Sequence, residues 1–341
     1  MRGRILARIA RAELAMDIAA ENLLHVLHGQ VPEWIPVECL SDRRYCEGAY
    51  IFVTYSGALA PQEGGLDLWG VTWTATGETL PYPSRHPATS LEQALTMSLP
   101  DIHAPRLWAQ ATAQADTARG RTVVIGRQVC ALFERYWTLV GMETAMIGMV
   151  SEPKVSMAIL DRITDWQVSA ADYFVRIGVD VARISDDYGA QNDLLVSPTL
   201  WRAMVKPRLA RLVARYKSAG IPVVLHSCGN LTRIMDDLVD MDFAALNIQS
   251  SANDLPAMKK RYGRRLCIWG GLSTQTTLAT GTPEEVHRAV RQAMAELGSD
   301  GRLILEPDQV VRIPEANLIA FSQAAQESKR LFRSTHPPFL E

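Results

Sequence analysis

A chain of 341 residues, 48% of them hydrophobic, can build one large barrel or two ordinary domains. Its 35 Lys and Arg against 37 Asp and Glu leave a net charge of −2, so there is no global basic field to attract nucleic acid and no acidic tail. Five cysteines, an odd number without paired CxxC spacing, argue against a secreted disulfide framework and favour a reducing, cytoplasmic setting.

Residues 1–30 read as an N-terminal helical segment. Glu13, Asp17 and Glu21 interrupt any apolar run that could serve as a signal-peptide core, and Arg2, Arg4, Arg8 and Arg11 read as a solvated helix face. Nowhere do 18 uncharged apolar residues run together, so no membrane partner is expected. Short, β-branched strand candidates follow at 34–38, 51–55, 122–126, 179–185, 221–227, 244–250, 266–271 and 302–307. Helix patterns separate the later ones. Their starts are marked by Ser197-Pro198, Asn230 and Thr282-Pro283, and two of them end at Gly220 and near Gly298.

Apolar strands alternating with helices indicate a parallel sheet covered on both faces. Roughly eight strands, with no glycine-rich phosphate loop after the first, favour an α/β (β/α)8 TIM barrel over a doubly wound sheet. Without a linker or internal repeat, residues 1–341 read as a single barrel domain with its N-terminal helical extension.

In such a barrel, the carboxyl ends of the strands carry the chemistry. Polar residues collect there: Asp186, Asp187, Tyr188 and Gln191, then His226 and Cys228, then Gln249, then Gln275, then Glu306 and Asp308. His226 and Cys228, two apart, lie on one side of an extended chain and could reach one metal ion, although a lone His-x-Cys fits a hydrogen-bonded histidine and a buried thiol equally well. The Asp186-Asp187 pair suits acid–base work, substrate positioning or helix capping. Tyr188 could form a wall. Trp73 and Trp269 suit either a pocket or barrel packing. Cys130 and Cys267 read as ordinary buried thiols, while Glu38, Cys39, Cys46 and Glu47 read as solvated loop residues, with a place as alternative metal ligands as the other reading.

Over most of its length the sequence resembles the uroporphyrinogen decarboxylase-like superfamily, which also contains corrinoid-linked methyltransferases. The resemblance rests on ENLLHVLHGQVPEWIPVE, LDLWGVTW, DDYGAQNDLLVSPTLWRAMVKPRL, HSCGN, AALNIQ, MKKRYGRRLCIWGGLSTQTTLATGTPEEV and PEAN, in that order. It implies a (β/α)8 barrel, in agreement with the strand pattern. The arginine-rich RQAGR-type loop of the decarboxylases is replaced by PVECLSDRRYCEGAY, which disfavours a tetrapyrrole substrate. The methyltransferase branch implies a zinc site at the barrel mouth, with His226 and Cys228 as ligands. Where that branch has a third cysteine, this chain offers Glu306 or Asp308. The implied activity is methyl transfer between a small methylated ether, amine or thiol and a corrinoid (cobalamin) on a partner protein. O-demethylation is one form of it. Asp187 and Asp186 would be catalytic, with Tyr188, Gln191, Gln249, Trp269 and Gln275 on the substrate. The alternative is a metal-free lyase acting on a tetrapyrrole or small aromatic acid, with Arg43, Arg44, Arg85 and Arg127 as cationic anchors. A homodimer is the assembly the resemblance suggests.

Overall fold

The computed structural model describes residues 16–58, 60–76, 81–310 and 312–335. Residues 1–15 of the expected N-terminal segment, with Arg2, Arg4, Arg8 and Arg11, lie outside them. In the remainder of that segment Ile18–Leu27 is a helix, capped by Asp17, whose side chain accepts from the Ala19 amide at 2.8 Å. Its Leu23, Val26 and Leu27 pack with Val123, Val181, Ala245 and Cys267 at the strand starts, so this helix closes the amino-terminal end of the barrel.

In chain order the strands are β1 (Tyr50–Val53), β2 (Gly65–Leu66), β3 (Thr72–Thr74), β4 (Tyr82–Arg85), β5 (Val123–Gln128), β6 (Val181–Ser185), β7 (Val223–Ser227), β8 (Ala245–Ile248), β9 (Ile268–Leu272) and β10 (Leu303–Pro307). Seven of them form one parallel sheet in the order β1-β5-β6-β7-β8-β9-β10, curled into a barrel with helices outside. The eighth position belongs to the segment around Val37, which makes a single parallel bridge to Leu305. Pro36 has no N–H, and the Glu38 side chain accepts from Ala49 N at 3.0 Å, so a carboxylate links this segment to the start of β1. Each of the eight expected strand segments therefore takes its place in the barrel.

Alternation along the strands decides what faces inward. Val123 and Ile125, Val181, Val224, Ala245, Trp269 and Ile304 share one interior cluster. The same rank continues toward the carboxyl ends as Arg127, Arg183, His226, Asn247 and Glu306. The barrel is thus apolar at its base and polar at its mouth.

The three-stranded antiparallel sheet β2-β3-β4 has no counterpart in the sequence expectations. It is inserted after β1 and pinned by buried Asp67, whose carboxylate accepts from Trp69 N and Val71 N at 2.8 Å and Trp73 Nε1 at 3.0 Å. Asp67 also pairs with buried Arg135 at 3.2 Å. The expected helix from Ser197 to Gly220 forms, but with a π turn at Trp201–Val205, because Pro207 cannot donate to the helical ladder. The helix Pro283–Leu297 carries the capping box Thr282/Glu285 at its expected start. Among the described residues no helix is long and apolar enough to cross a membrane.

Candidate functional site

Two glycines set the geometry of the mouth. The loop after β6 crosses the loop after β7 where Gly189 meets Gly229, and a Cβ on Gly189 would lie 2.5 Å from Asn230 N. A Cβ on Gly229, whose φ is +77°, would overlap the Gly189 carbonyl. The crossing is stitched by Gly189 N to Cys228 O at 3.2 Å and Asn230 N to Ala190 O at 2.8 Å. This close backbone contact carries Asp187 onto His226 and Cys228.

The three side chains form a compact group. Cys228 Sγ lies 3.6 Å from His226 Nε2, and Asp187 Oδ1 lies 3.8 Å from the same nitrogen. Asp187 Oδ1 also accepts from Cys228 N at 2.7 Å. Among the described residues this is the set of three His, Cys, Asp or Glu side chains with ligand atoms all within 4.8 Å of one another. Tetrahedral zinc bonds of about 2.0–2.3 Å place a sulfur and a nitrogen ligand roughly 3.5 Å apart, as Cys228 and His226 are, and an oxygen and a nitrogen roughly 3.3 Å apart, so Asp187 would close in slightly on an ion. A nitrogen, a sulfur and a carboxylate oxygen are donors that zinc accepts, and three protein ligands would leave a fourth position for substrate.

His226 is prepared for such a role by its other nitrogen. Its Nδ1 lies 2.6 Å from Asn247 Oδ1, and Asn247 Nδ2 donates to Trp269 O at 2.5 Å, which fixes the amide orientation. Nδ1 therefore carries the proton, and Nε2 presents its lone pair to Cys228 and Asp187. Burial pushes the imidazole down to about 4, with Asp187 opposing and Arg183 adding to the shift, so the ring is neutral at pH 7. Burial and the adjacent Asp187 push the Cys228 thiol up, which keeps it protonated until a cation displaces the proton.

The other expected site residues have different duties. Glu306, expected as third ligand, accepts from Tyr50 OH at 2.9 Å and Trp269 Nε1 at 2.5 Å. Asp308 accepts from Ser250 N at 2.7 Å and Gly271 N at 3.2 Å, tying the loops after β8 and β9 together. The structure thus brings Asp187, and neither of these two, to the His-x-Cys pair. Asp186 points away from the mouth and accepts from Leu132, Phe133 and Glu134 amides at 2.9–3.1 Å, capping the helix Phe133–Val140. Burial raises its pKa to about 6 despite those bonds. Tyr188 is buried edge-on to Trp201, and Trp269 is wholly buried against Tyr50, so both pack in the interior. Gln249 accepts from Gly229 N at 2.8 Å and holds the crossing loop. Gln191 donates to Ser251 O at 3.0 Å at the rim, and Gln275 donates to Gln309 Oε1 at 3.1 Å.

Sequence reasoning missed Asn247, Arg183, Gln309 and Glu134. Gln309 lies near enough to the Cys228 thiol to lower its pKa, against the larger effect of burial, and Glu134 faces Asp187 with its pKa driven upward by burial. The signal for the first two was present: an asparagine and an arginine inside otherwise apolar strands, in phase with the inward-facing positions.

Residues 65–328 match the family described as Uroporphyrinogen decarboxylase (URO-D). The methylcobamide:CoM methyltransferase MtaA of Methanosarcina barkeri is 26% identical over 156 residues, covering 46% of this chain and 44% of the relative. The methylated-thiol–coenzyme M methyltransferase of Methanosarcina mazei is 23% identical over 164 residues, 48% of this chain and 42% of the relative. The uroporphyrinogen decarboxylase of Geobacillus kaustophilus is 26% identical over 155 residues, 44% and 42% of the two chains. The chain thus aligns with less than half the length of these curated relatives. A solved methyltransferase from Methanosarcina mazei superimposes with a TM-score of 0.73 at 19% identity, over 91% of this chain and 98% of that one, and so shares the fold. The chain belongs to the uroporphyrinogen decarboxylase (URO-D) family.

Proposed function

We propose that the chain moves a methyl group between a small substrate heteroatom and a corrinoid carried by a partner protein, with a thiol as the heteroatom its site suits best. The observation that carries this is the Asp187–His226–Cys228 group, with His226 preset as a neutral Nε2 donor. Relatives named as methylcobamide:CoM and methylated-thiol methyltransferases support it. The three residues would hold zinc, which when bound acts as a Lewis acid on the substrate heteroatom. Asn247 keeps the imidazole proton on Nδ1, Gln249 and Gly229 hold Cys228 in place, and Gln309 with Gln275 borders the opening. The apolar base and the closing helix exclude water from the far end.

Balanced for a thiol acceptor, the S–H bond breaks, a sulfur–methyl bond forms, the proton leaves to solvent, and the cobalt–carbon electron pair stays with the corrinoid. Free methylcobalamin and 2-mercaptoethanol, mixed with zinc-supplemented protein, should yield the methyl thioether together with the absorbance change of demethylation. His226→Ala and Cys228→Ala should abolish product while retaining the circular dichroism of the wild type. Failure of the zinc-loaded wild type to turn over thiols, methyl ethers or methylamines would overturn the proposal.

Decarboxylation is the rival reading, supported by the family name and the bacterial decarboxylase relative. Its proposed anchors do not converge. Arg44 is paired with Asp42 in solvent, Arg85 is exposed on β4, and Arg43 donates to Tyr50 O at 2.6 Å. Arg127 is the one of the four in the inward rank of a central strand.

A further inference from the structure

Arg127 and Arg183 are register partners on β5 and β6, both inside the barrel, where two like charges on neighbouring strands repel. Each lies over the Phe52 ring, at 5.1 Å and 5.3 Å, and Arg183 also lies 5.8 Å from the centroid of Trp269. Ring contacts of this kind do not satisfy the N–H donors. Arg183 is 5% exposed, and one donor, Nη2, reaches Asn247 Oδ1 at 2.5 Å. Its Nε and Nη1, and Nε of Arg127, are buried without a hydrogen-bond partner.

The nearby acids do not supply the missing acceptor. Glu306 spends its oxygens on Tyr50 and Trp269, and Glu38 is bound to Ala49 N and to the Cys46 thiol. Burial raises the pKa of both, Glu38 to about 8. Orienting Asn247 accounts for one Arg183 donor and leaves the others unexplained. Buried charged donors without acceptors are costly, and an anion is the group that would complete them.

We propose that Arg127 and Arg183 form an anion subsite inside the barrel, which takes a carboxylate or similar oxyanion at the far end of the substrate. This rests on the reading of the mouth as the reacting site. One oxygen, Asn247 Oδ1, separates Arg183 from His226, so a short acid spans from the arginines to the Asp187–His226–Cys228 group.

Calorimetric titration of the zinc-supplemented full chain tests it with four probes: 3-mercaptopropionate, 2-mercaptoethanol, butyrate and 1-butanol. Charged hydrogen bonds of this kind are worth roughly tenfold or more in affinity, so each acid should bind about tenfold tighter than its neutral counterpart. Arg127→Gln should erase that preference with 2-mercaptoethanol affinity unchanged, and Arg183→Gln should erase it as well. Arg127 is the less buried of the two, so its variant decides the matter where Arg183→Gln fails to fold. Equal affinity for acid and neutral probes in the wild type, or a preference that survives the Arg127 substitution, overturns the subsite. Should neither thiol bind while butyrate still outcompetes 1-butanol, the thiol reading fails and the subsite stands.

Discussion

Asn247 Oδ1 lies 2.6 Å from His226 Nδ1 and 2.5 Å from Arg183 Nη2, so one amide oxygen both sets the tautomer of the imidazole and binds an interior cation. Partners of this kind orient a metal ligand from behind, and their loss typically lowers metal affinity about 10–100-fold. Asn247→Ala should therefore weaken zinc binding by that factor in a chelator-competition titration while the protein stays folded. Unchanged affinity would show that the His226 orientation is set elsewhere.

Glu306→Gln and Asp187→Asn separate two of the three candidates for third ligand. Glu306 is held by Tyr50 and Trp269, and Asp187 lies against His226 and Cys228. Bound zinc, measured on folded protein, should persist in Glu306→Gln and be depleted in Asp187→Asn. The opposite pattern would restore Glu306 to the ligand set.

Why the sequence favoured Glu306 is instructive. Position after a strand showed that Glu306, Asp308, Asp186 and Asp187 all gather at the mouth, but not which neighbour each side chain meets. Alternation does separate the last two: Arg183 and Asp187 share the inward rank, while Asp186 turns to the helix Phe133–Val140. Glu306 shares that inward rank too, and its fate was set by Tyr50, beyond the Val37 segment, and Trp269 on the adjoining strand. The eight strands were legible because each is a short apolar run, and the later ones lie between capped helices. The β2-β3-β4 sheet was not, because strands of two to four residues carry too little periodicity to register.

The crossing of Gly189 and Gly229 predicts a combined loss of stability and site. Gly229→Ala places a Cβ on a residue at φ +77° and against the Gly189 carbonyl. The backbone cost alone is on the order of 1–3 kcal/mol, and relief of the overlap must move Cys228 away from Asp187. Urea unfolding should show the lower midpoint and metal analysis the lost zinc. A variant as stable and as metal-rich as the wild type would contradict the close approach.

Asp67 and Arg135 form a buried pair, with side chains 2% and 1% exposed. Removing one partner of such a pair costs about 3–5 kcal/mol, because the other charge stays buried. Asp67→Ala also strips acceptors from Trp69, Val71 and Trp73, so it should lower the unfolding midpoint more than Arg135→Met does. Equal midpoints for the two variants and the wild type would show that the β2-β3-β4 insertion contributes nothing to stability.

Glu38 gives a signed pH dependence. Burial raises its pKa from 4.5 to about 8. A carboxyl whose folded pKa is raised binds more protons folded than unfolded across this interval. Its contribution to stability is full below about pH 4.5 and is lost as pH climbs through about 8. Glu38→Gln, neutral at every pH, should show a shallower fall in unfolding free energy between those limits than the wild type. Parallel pH profiles for the two proteins would mean that Glu38 titrates normally in the fold.

The central claim is that Asp187, His226 and Cys228 hold one zinc ion at the barrel mouth, and its most direct test is elemental analysis of protein purified without chelator. About one zinc per chain is predicted from the three-ligand set, with His226→Ala and Cys228→Ala folded but metal-poor. A folded wild type that takes up no zinc, even when zinc is supplied, would contradict it.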